Sequence, residues 1–178
     1  MKMRFVLLCV AALLAACSQN QDWRTASREP AGIAPDPVET REAVLQVYGA
    51  DAWGWRGWFA IHTWIAAKGV GQSAYTVYEV IGWRAARGLP VVRIEQDYPD
   101  RHWYGAAPRL LKEHRGDEAE ALIEAVDRAA RAYPRPQEYR AFPGPNSNTF
   151  IAWIGSQVPE LGLDLPFSAI GKGYSGLN

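Results

Sequence analysis

Trp58-Phe59-Ala60-Ile61-His62-Thr63-Trp64-Ile65-Ala66-Ala67, then Gly69-Val70-Gly71-Gln72, then Ala74-Tyr75-Thr76-Val77-Tyr78-Glu79-Val80-Ile81-Gly82-Trp83 reads as two strands joined by a glycine-containing loop. Alternation puts Trp58, Ala60, His62, Trp64 and Ala66 on one face of the first strand. It puts Tyr75, Val77, Glu79, Ile81 and Trp83 on one face of the second. With the loop centred between Val70 and Gly71, His62 stands opposite Glu79, flanked by Trp64–Val77 and Ala60–Ile81. One imidazole and one carboxylate thus meet on an otherwise apolar surface. A carboxylate fixes the tautomer of an imidazole and stabilises its charged form, which suits a general base. The same pair can also be a buried ion pair that only satisfies itself. A one-residue slip in register would separate the two groups.

Outward from the hairpin, residues 44–48, 90–94 and 109–114 are further strand candidates. Residues 117–133 form the clearest helix. Asp117 is placed to cap it, with Glu120 three residues on as in a capping box. Ala119, Leu122, Ile123, Val126, Ala129, Ala130 and Tyr133 make its apolar stripe, and Glu118, Glu124, Asp127, Arg128 and Arg131 its solvated side. Pro134 and Pro136 end it. Pro143-Gly144-Pro145-Asn146 is a turn, followed by a second helix over 147–158 that Pro159 stops. The expected fold is α+β: one globular domain, residues 41–178, with a mainly antiparallel sheet and packed helices.

The N-terminal region sets location. Lys2 and Arg4 precede an apolar run over 5–14, too short to span a bilayer, which takes roughly 20 residues. Leu14-Ala15-Ala16-Cys17 follows where the run stops and matches the lipobox of bacterial lipoproteins. The expectation is a signal peptide over 1–16, lipidation of Cys17, and a Pro-rich tether over 17–40. Ser18 after the cysteine favours the outer membrane, facing the periplasm. Removal of Lys2 and Arg4 leaves 17 basic residues (19 less 2) against 19 acidic ones, net −2. That balance argues against nucleic acid as a partner. Cys9 leaves with the signal and Cys17 carries lipid, so the domain has no thiol for catalysis, disulfides or zinc. His62, His102 and His114 lack close ligand spacing, and neither metal nor cofactor is expected. Gly171-Lys172-Gly173-Tyr174 does not have the pattern of a phosphate loop.

The second polar constellation is Asn146-Ser147-Asn148-Thr149 at the start of the second helix. Asn and Ser are preferred N-caps, which alone accounts for Asn146 and Ser147. A hydroxyl at a helix N-terminus also lies beside unpaired N–H groups and the positive end of the dipole. If His62 took its proton, Ser147 would be a nucleophile, with Glu79 as orienter and the helix start near Asn148 as part of an oxyanion hole. Most of the eight tryptophans are expected in the core. An exposed Trp53 or Trp55 would be able to stack on a sugar or acyl chain.

The blocks Trp53-Gly-Trp-Arg-Gly-Trp-Phe-Ala-Ile-His62-Thr-Trp, Tyr75-Thr-Val-Tyr-Glu79-Val-Ile-Gly-Trp, Pro143-Gly-Pro-Asn-Ser147-Asn-Thr-Phe and Leu163-Asp-Leu-Pro-Phe-Ser-Ala-Ile-Gly171-Lys-Gly-Tyr resemble a bacterial domain-of-unknown-function family, 3750. That family name implies no reaction. The order of His62, Glu79 and Asn146-Ser147 also resembles circularly permuted papain-like hydrolases, with Ser147 where those enzymes have cysteine. This second resemblance implies catalytic roles for Ser147, His62, Glu79 and Asn146. It implies hydrolysis or transfer of an amide or ester acyl group, with peptidoglycan or lipid as target. The alternative is a non-catalytic binding or structural lipoprotein with the same fold.

Overall fold

The structure is a computed structural model that describes residues 22–177. The expected signal and the lipidation site at Cys17 lie outside the described residues. Five strands, β1 (Val44–Asp51), β2 (Ile61–Lys68), β3 (Thr76–Val80), β4 (Val92–Gln96) and β5 (Arg109–Arg115), form one antiparallel sheet in the order β4-β3-β2-β1-β5. Among the described residues two α-helices follow, α1 (Gly116–Arg131) and α2 (Ser147–Gln157). The fold is α+β.

Alternation along the strands serves both faces of the sheet. Leu45, Val47, Ile61, Ile65, Tyr78 and Val80 pack against the apolar stripe of α1 and against Phe150, Ile151 and Ile154 of α2. Each of these larger side chains contributes roughly 1.5–3 kcal/mol through burial. Val44, Tyr48, Trp64, Ala66, Tyr75, Val77 and Ile81 point to the other face, which is covered by Trp103 and Tyr104 from the β4–β5 connection. Trp64 is fully buried there, and its indole N–H donates to the Pro99 carbonyl at 2.7 Å.

Several expectations are corrected. β2 begins at Ile61, because Gly54–Trp58 forms a 3-10 turn; Trp58 stands outside the strand with 88 % of its surface exposed. β2 and β3 pair as Ile65–Tyr78, Ala66–Val77 and Ala67–Thr76, two residues out of step with the expected register. An even shift preserves the faces, so His62 and Glu79 still share one. The capping box of α1 does not form. Arg115 is the N-cap residue, without a side-chain hydrogen bond, and Glu120 instead accepts from the Val70 backbone N–H in the hairpin loop at 3.1 Å.

The described part of the expected tether, residues 22–40, is docked on the domain. Ala31 N–H donates to the Asp100 carbonyl, and the Asp100 carboxylate accepts from Ile33 N–H at 2.6 Å and Ala34 N–H at 3.1 Å. His102 N–H donates to the Glu29 carbonyl and Gly105 N–H to the Ser27 carbonyl. Composition suggested a free linker, but extended proline-rich backbone can exchange hydrogen bonds with a facing loop just as an edge strand does.

Candidate active site

The start of α2 is pinned to the start of β2. Asn148 donates from Nδ2 to the Ile61 carbonyl at 2.9 Å and to the Ile170 carbonyl at 2.8 Å, and its Oδ1 accepts from the Thr63 hydroxyl at 2.8 Å. A single hydrogen bond therefore joins the residue after Ser147 to the residue before His62. Ser147 and His62 line the same cavity of about 440 Å³ at this end of the sheet, with Asn146, Asn148 and a wall of aromatic side chains.

Four consecutive buried polar residues, Asn146 to Thr149, form the N-cap and first turn of α2, and three of them are spent on structure. Asn146 caps the helix: its Oδ1 accepts from Asn148 N–H at 3.0 Å and Thr149 N–H at 3.1 Å, and its Nδ2 donates to the Ala141 and Ile170 carbonyls. Thr149 completes the capping box and donates its hydroxyl to the Gly171 carbonyl at 2.8 Å. Asn148 holds β2. Ser147, 5 % exposed, is different: neither its hydroxyl nor its backbone N–H has a hydrogen-bond partner among the described residues. The Asn148 N–H, expected to help an oxyanion, is taken by the Asn146 cap. The free amide is that of Ser147 itself. Asn146, expected among the catalytic residues, has its side-chain amide fully engaged in the cap.

Gly171 closes this arrangement, and its backbone lies in the left-handed region with φ 98°. A Cβ there would fall on the Asn146 amide, 2.6 Å from Oδ1. Gly171→Ala is therefore expected to cost about 2–3 kcal/mol in urea unfolding. Gly173→Ala, where a Cβ meets nothing within 4 Å, serves as the near-neutral control. Equal stability of the two variants would show that the closing segment does not hold the cap.

On the sheet side, His62 Nε2 lies 3.3 Å from Glu79 Oε2. Glu79 is fully buried, and its other oxygen accepts from Arg93 Nη1 at 2.7 Å and Arg101 Nη2 at 2.5 Å. Both guanidiniums also reach Asp97. Arg93 stands directly opposite Glu79 in the β3–β4 ladder. Burial alone would raise the Glu79 carboxyl; Arg101, His62 and Arg93 overcome this and hold it far below the usual carboxylate range. An ionised carboxylate only accepts, so Nε2 carries the proton and Nδ1 keeps its lone pair. That Nδ1 has no hydrogen-bond partner among the described residues.

Glu79 favours the charged imidazole, as a neighbouring carboxylate should, but it does not decide the resting state. Burial lowers the His62 pKa by more than the Glu79 hydrogen bond and charge raise it, and Arg101 lowers it further. The pair in the resting protein is a neutral imidazole donating to a carboxylate already balanced by two arginines. Trp103 lies flat on the imidazole, with centroids 3.4 Å apart and planes 8° apart, and shields that face from water. The Arg101 guanidinium sits 5.8 and 5.7 Å from the Trp64 and Trp103 ring centroids, where the rings face its charge. His114 uses both ring nitrogens, toward Glu118 and the Leu161 carbonyl, and His102 uses Nδ1 toward the Glu29 carbonyl. Neither lines the cavity. No group of three or more His, Cys, Asp or Glu able to hold a metal occurs among the described residues.

The His62 and Glu79 pKa values are both depressed on folding, so both groups favour the native state at neutral pH. Below the ordinary histidine value of 6.5 the unfolded chain takes up a proton that native His62 refuses. Stability should then fall by about 1.4 kcal/mol per pH unit for this one site. Below the ordinary carboxylate value of 4.5, Glu79 adds its own loss. His62→Phe should flatten the limb between these values in denaturant titrations against pH. An unchanged slope would mean that His62 titrates normally.

Arg93, Arg101 and Trp103 carried no role in the sequence reading. Arg93 had a signal: an opposite-charge cross-strand partner for Glu79, visible once β4 is placed at 92–96. Arg101 and Trp103 lie in an irregular connection, where no periodicity aims a side chain.

The family model described as "Protein of unknown function (DUF3750)" matches residues 42–174. The chain belongs to the DUF3750 family. The matched span begins just before β1 and includes His62, Glu79, Arg93, Arg101, Trp103 and Ser147, so the whole constellation falls inside this DUF3750 domain. No curated protein and no solved structure gives a significant match.

Proposed function

We propose that this DUF3750 protein is a lipid-anchored hydrolase or acyltransferase of the cell envelope, acting on an amide or ester bond through Ser147. One observation carries the reading: in a run of four buried polar residues, Ser147 has neither its hydroxyl nor its N–H bonded among the described residues, and it lines the cavity that His62 also lines. In this scheme His62 Nδ1 takes the hydroxyl proton as Ser147 Oγ attacks the acyl carbon. Glu79 and its Nε2–H bond keep the tautomer and stabilise the imidazolium that forms. The Ser147 N–H, at the positive end of α2, donates to the developing oxyanion. His62 then returns the proton to the leaving amine or alkoxide, giving an acyl-enzyme. Water completes hydrolysis, or a second alcohol or amine completes transfer. A permuted papain-like ancestry would account for the order of His62, Glu79 and Ser147, with an outer-membrane anchor at Cys17 facing the domain into the periplasm.

A non-catalytic binding or structural lipoprotein is the competing reading. It draws support from the lack of a direct hydrogen bond between Ser147 and His62 among the described residues, although catalytic hydrogen bonds are often long before substrate arrives. A fluorophosphonate probe separates the two. Labelling of the parent chain that is lost in both Ser147→Ala and His62→Ala is the expected result. Labelling retained in both variants would sink the proposal.

A further inference from the structure

The mouth of the cavity carries an unusual amount of exposed aromatic surface. Trp55, Phe59 and Phe142 line it and are 64 %, 53 % and 78 % exposed; Trp58, next to Phe59 in the chain, is 88 % exposed. Trp55 and Phe59 pack on each other at 5.6 Å, so two of these rings form one exposed surface. Exposed apolar patches mark interaction sites, and Trp in particular favours the boundary between water and lipid.

The length of the leash says what covers the rim. Trp23 lines a second cavity, of about 330 Å³, which shares Trp53 and Trp83 with the first. Residues 22–40 are fastened to the domain, so Trp23 is held beside the site. Six residue steps separate Cys17 from Trp23, and a chain of that length reaches at most about 22 Å however it runs. A domain of this size is about 40 Å across. An acylated Cys17 therefore keeps Trp23, and the cavity wall it shares, within about 22 Å of the lipid-bearing residue. With a net charge of −2 on the mature chain, attraction to anionic lipid is not the driving force.

We infer that the aromatic rim formed by Trp55, Trp58, Phe59 and Phe142 seats on the bilayer that carries the anchor, so that the acyl substrate reaches the cavity from a membrane lipid. This rests on the lipid anchor and deepens the acyl-transfer reading. Partitioning into the interface is driven by apolar area and does not depend on Ser147 chemistry.

The test uses the full mature chain with Cys17→Ser, made without acylation, and neutral phosphatidylcholine vesicles whose acyl chains carry bromine. Co-sedimentation and bromine quenching of tryptophan fluorescence are expected, unchanged by high salt. Trp55→Ser/Trp58→Ser should lower the partition coefficient at least about tenfold, equivalent to about 1.4 kcal/mol. Trp58→Ser and Phe142→Ser alone, at highly exposed positions where substitution costs little stability, should each lower it part of the way. Failure of the parent to bind vesicles, full binding by the double variant, or a lipid-free dimer that Trp58→Ser dissolves would each overturn the inference. Ser147→Ala should bind vesicles like the parent. Vesicle binding without probe labelling would remove the enzyme reading and leave the docking surface standing; labelling without vesicle binding would do the reverse.

Discussion

Ser147→Ala is expected to lower turnover of an activated acyl ester by about a thousandfold or more, with the thermal midpoint held within about 2 °C of the parent. The two halves of this result come from the same feature. A hydroxyl without a partner among the described residues contributes no hydrogen bond to the native state, so its removal costs at most about 0.5 kcal/mol, as at an ordinary surface position. If the hydroxyl is the nucleophile, its removal ends the covalent route and leaves only what binding and the Ser147 N–H supply. Asn148→Ala should show the opposite pattern, because it deletes three hydrogen bonds between α2, β2 and the closing segment. A Ser147→Ala chain that unfolds early would reveal a structural hydroxyl. One that turns over ester at the parent rate would place the chemistry elsewhere. Either can be read from one preparation by scanning calorimetry and a chromogenic ester.

Glu79→Gln is expected to destabilise the domain by about 3–5 kcal/mol, the usual consequence of removing one partner from a buried charge cluster. The substitution keeps the volume but leaves Arg93 and Arg101 facing a neutral amide inside the protein. Asp97 still reaches both guanidiniums, which argues for the lower end of that range. Against a total stability of about 5–15 kcal/mol, even 3 kcal/mol should move the thermal midpoint down by about 6–12 °C. Acid sensitivity supplies a second readout. Native Glu79 resists protonation, so the parent loses this contribution only as pH falls below 4.5, whereas the variant has already lost it at neutral pH. The gap between the two unfolding curves should therefore narrow in acid. A loss below about 1 kcal/mol at neutral pH would mean that the cluster is solvated in the native state.

The two predictions divide the site into a part built for strength and a part left open. Glu79 with its arginines holds the imidazole from behind. Asn146, Asn148 and Thr149 hold the helix start. Between them, His62 Nδ1 and the Ser147 hydroxyl and N–H have no hydrogen-bond partner among the described residues. Burial of His62 under Trp103 keeps it neutral, so the acidic limb of any activity profile should fall below pH 6.5.

Much of this was legible in one dimension because strand geometry has a period of two. The pairing of His62 with Glu79 survived a register two residues away from the expected one, since an even slip returns every side chain to its own face. The second helix was readable from Asn146 and Pro159 because capping and termination are local chemistry. Exposure of Trp58 was not legible, because Trp58, expected to begin the strand, instead ends the 3-10 turn Gly54–Trp58. Sequence alone determined which residues could meet: an imidazole and a carboxylate on one sheet face, and a serine at a helix start. Only the tertiary structure decided what each one does there. Arg101 and Trp103 arrive from an irregular connection, and residues 22–40 fold back to hold that connection in place. Neither follows from periodicity, because both depend on contacts between segments far apart in the chain.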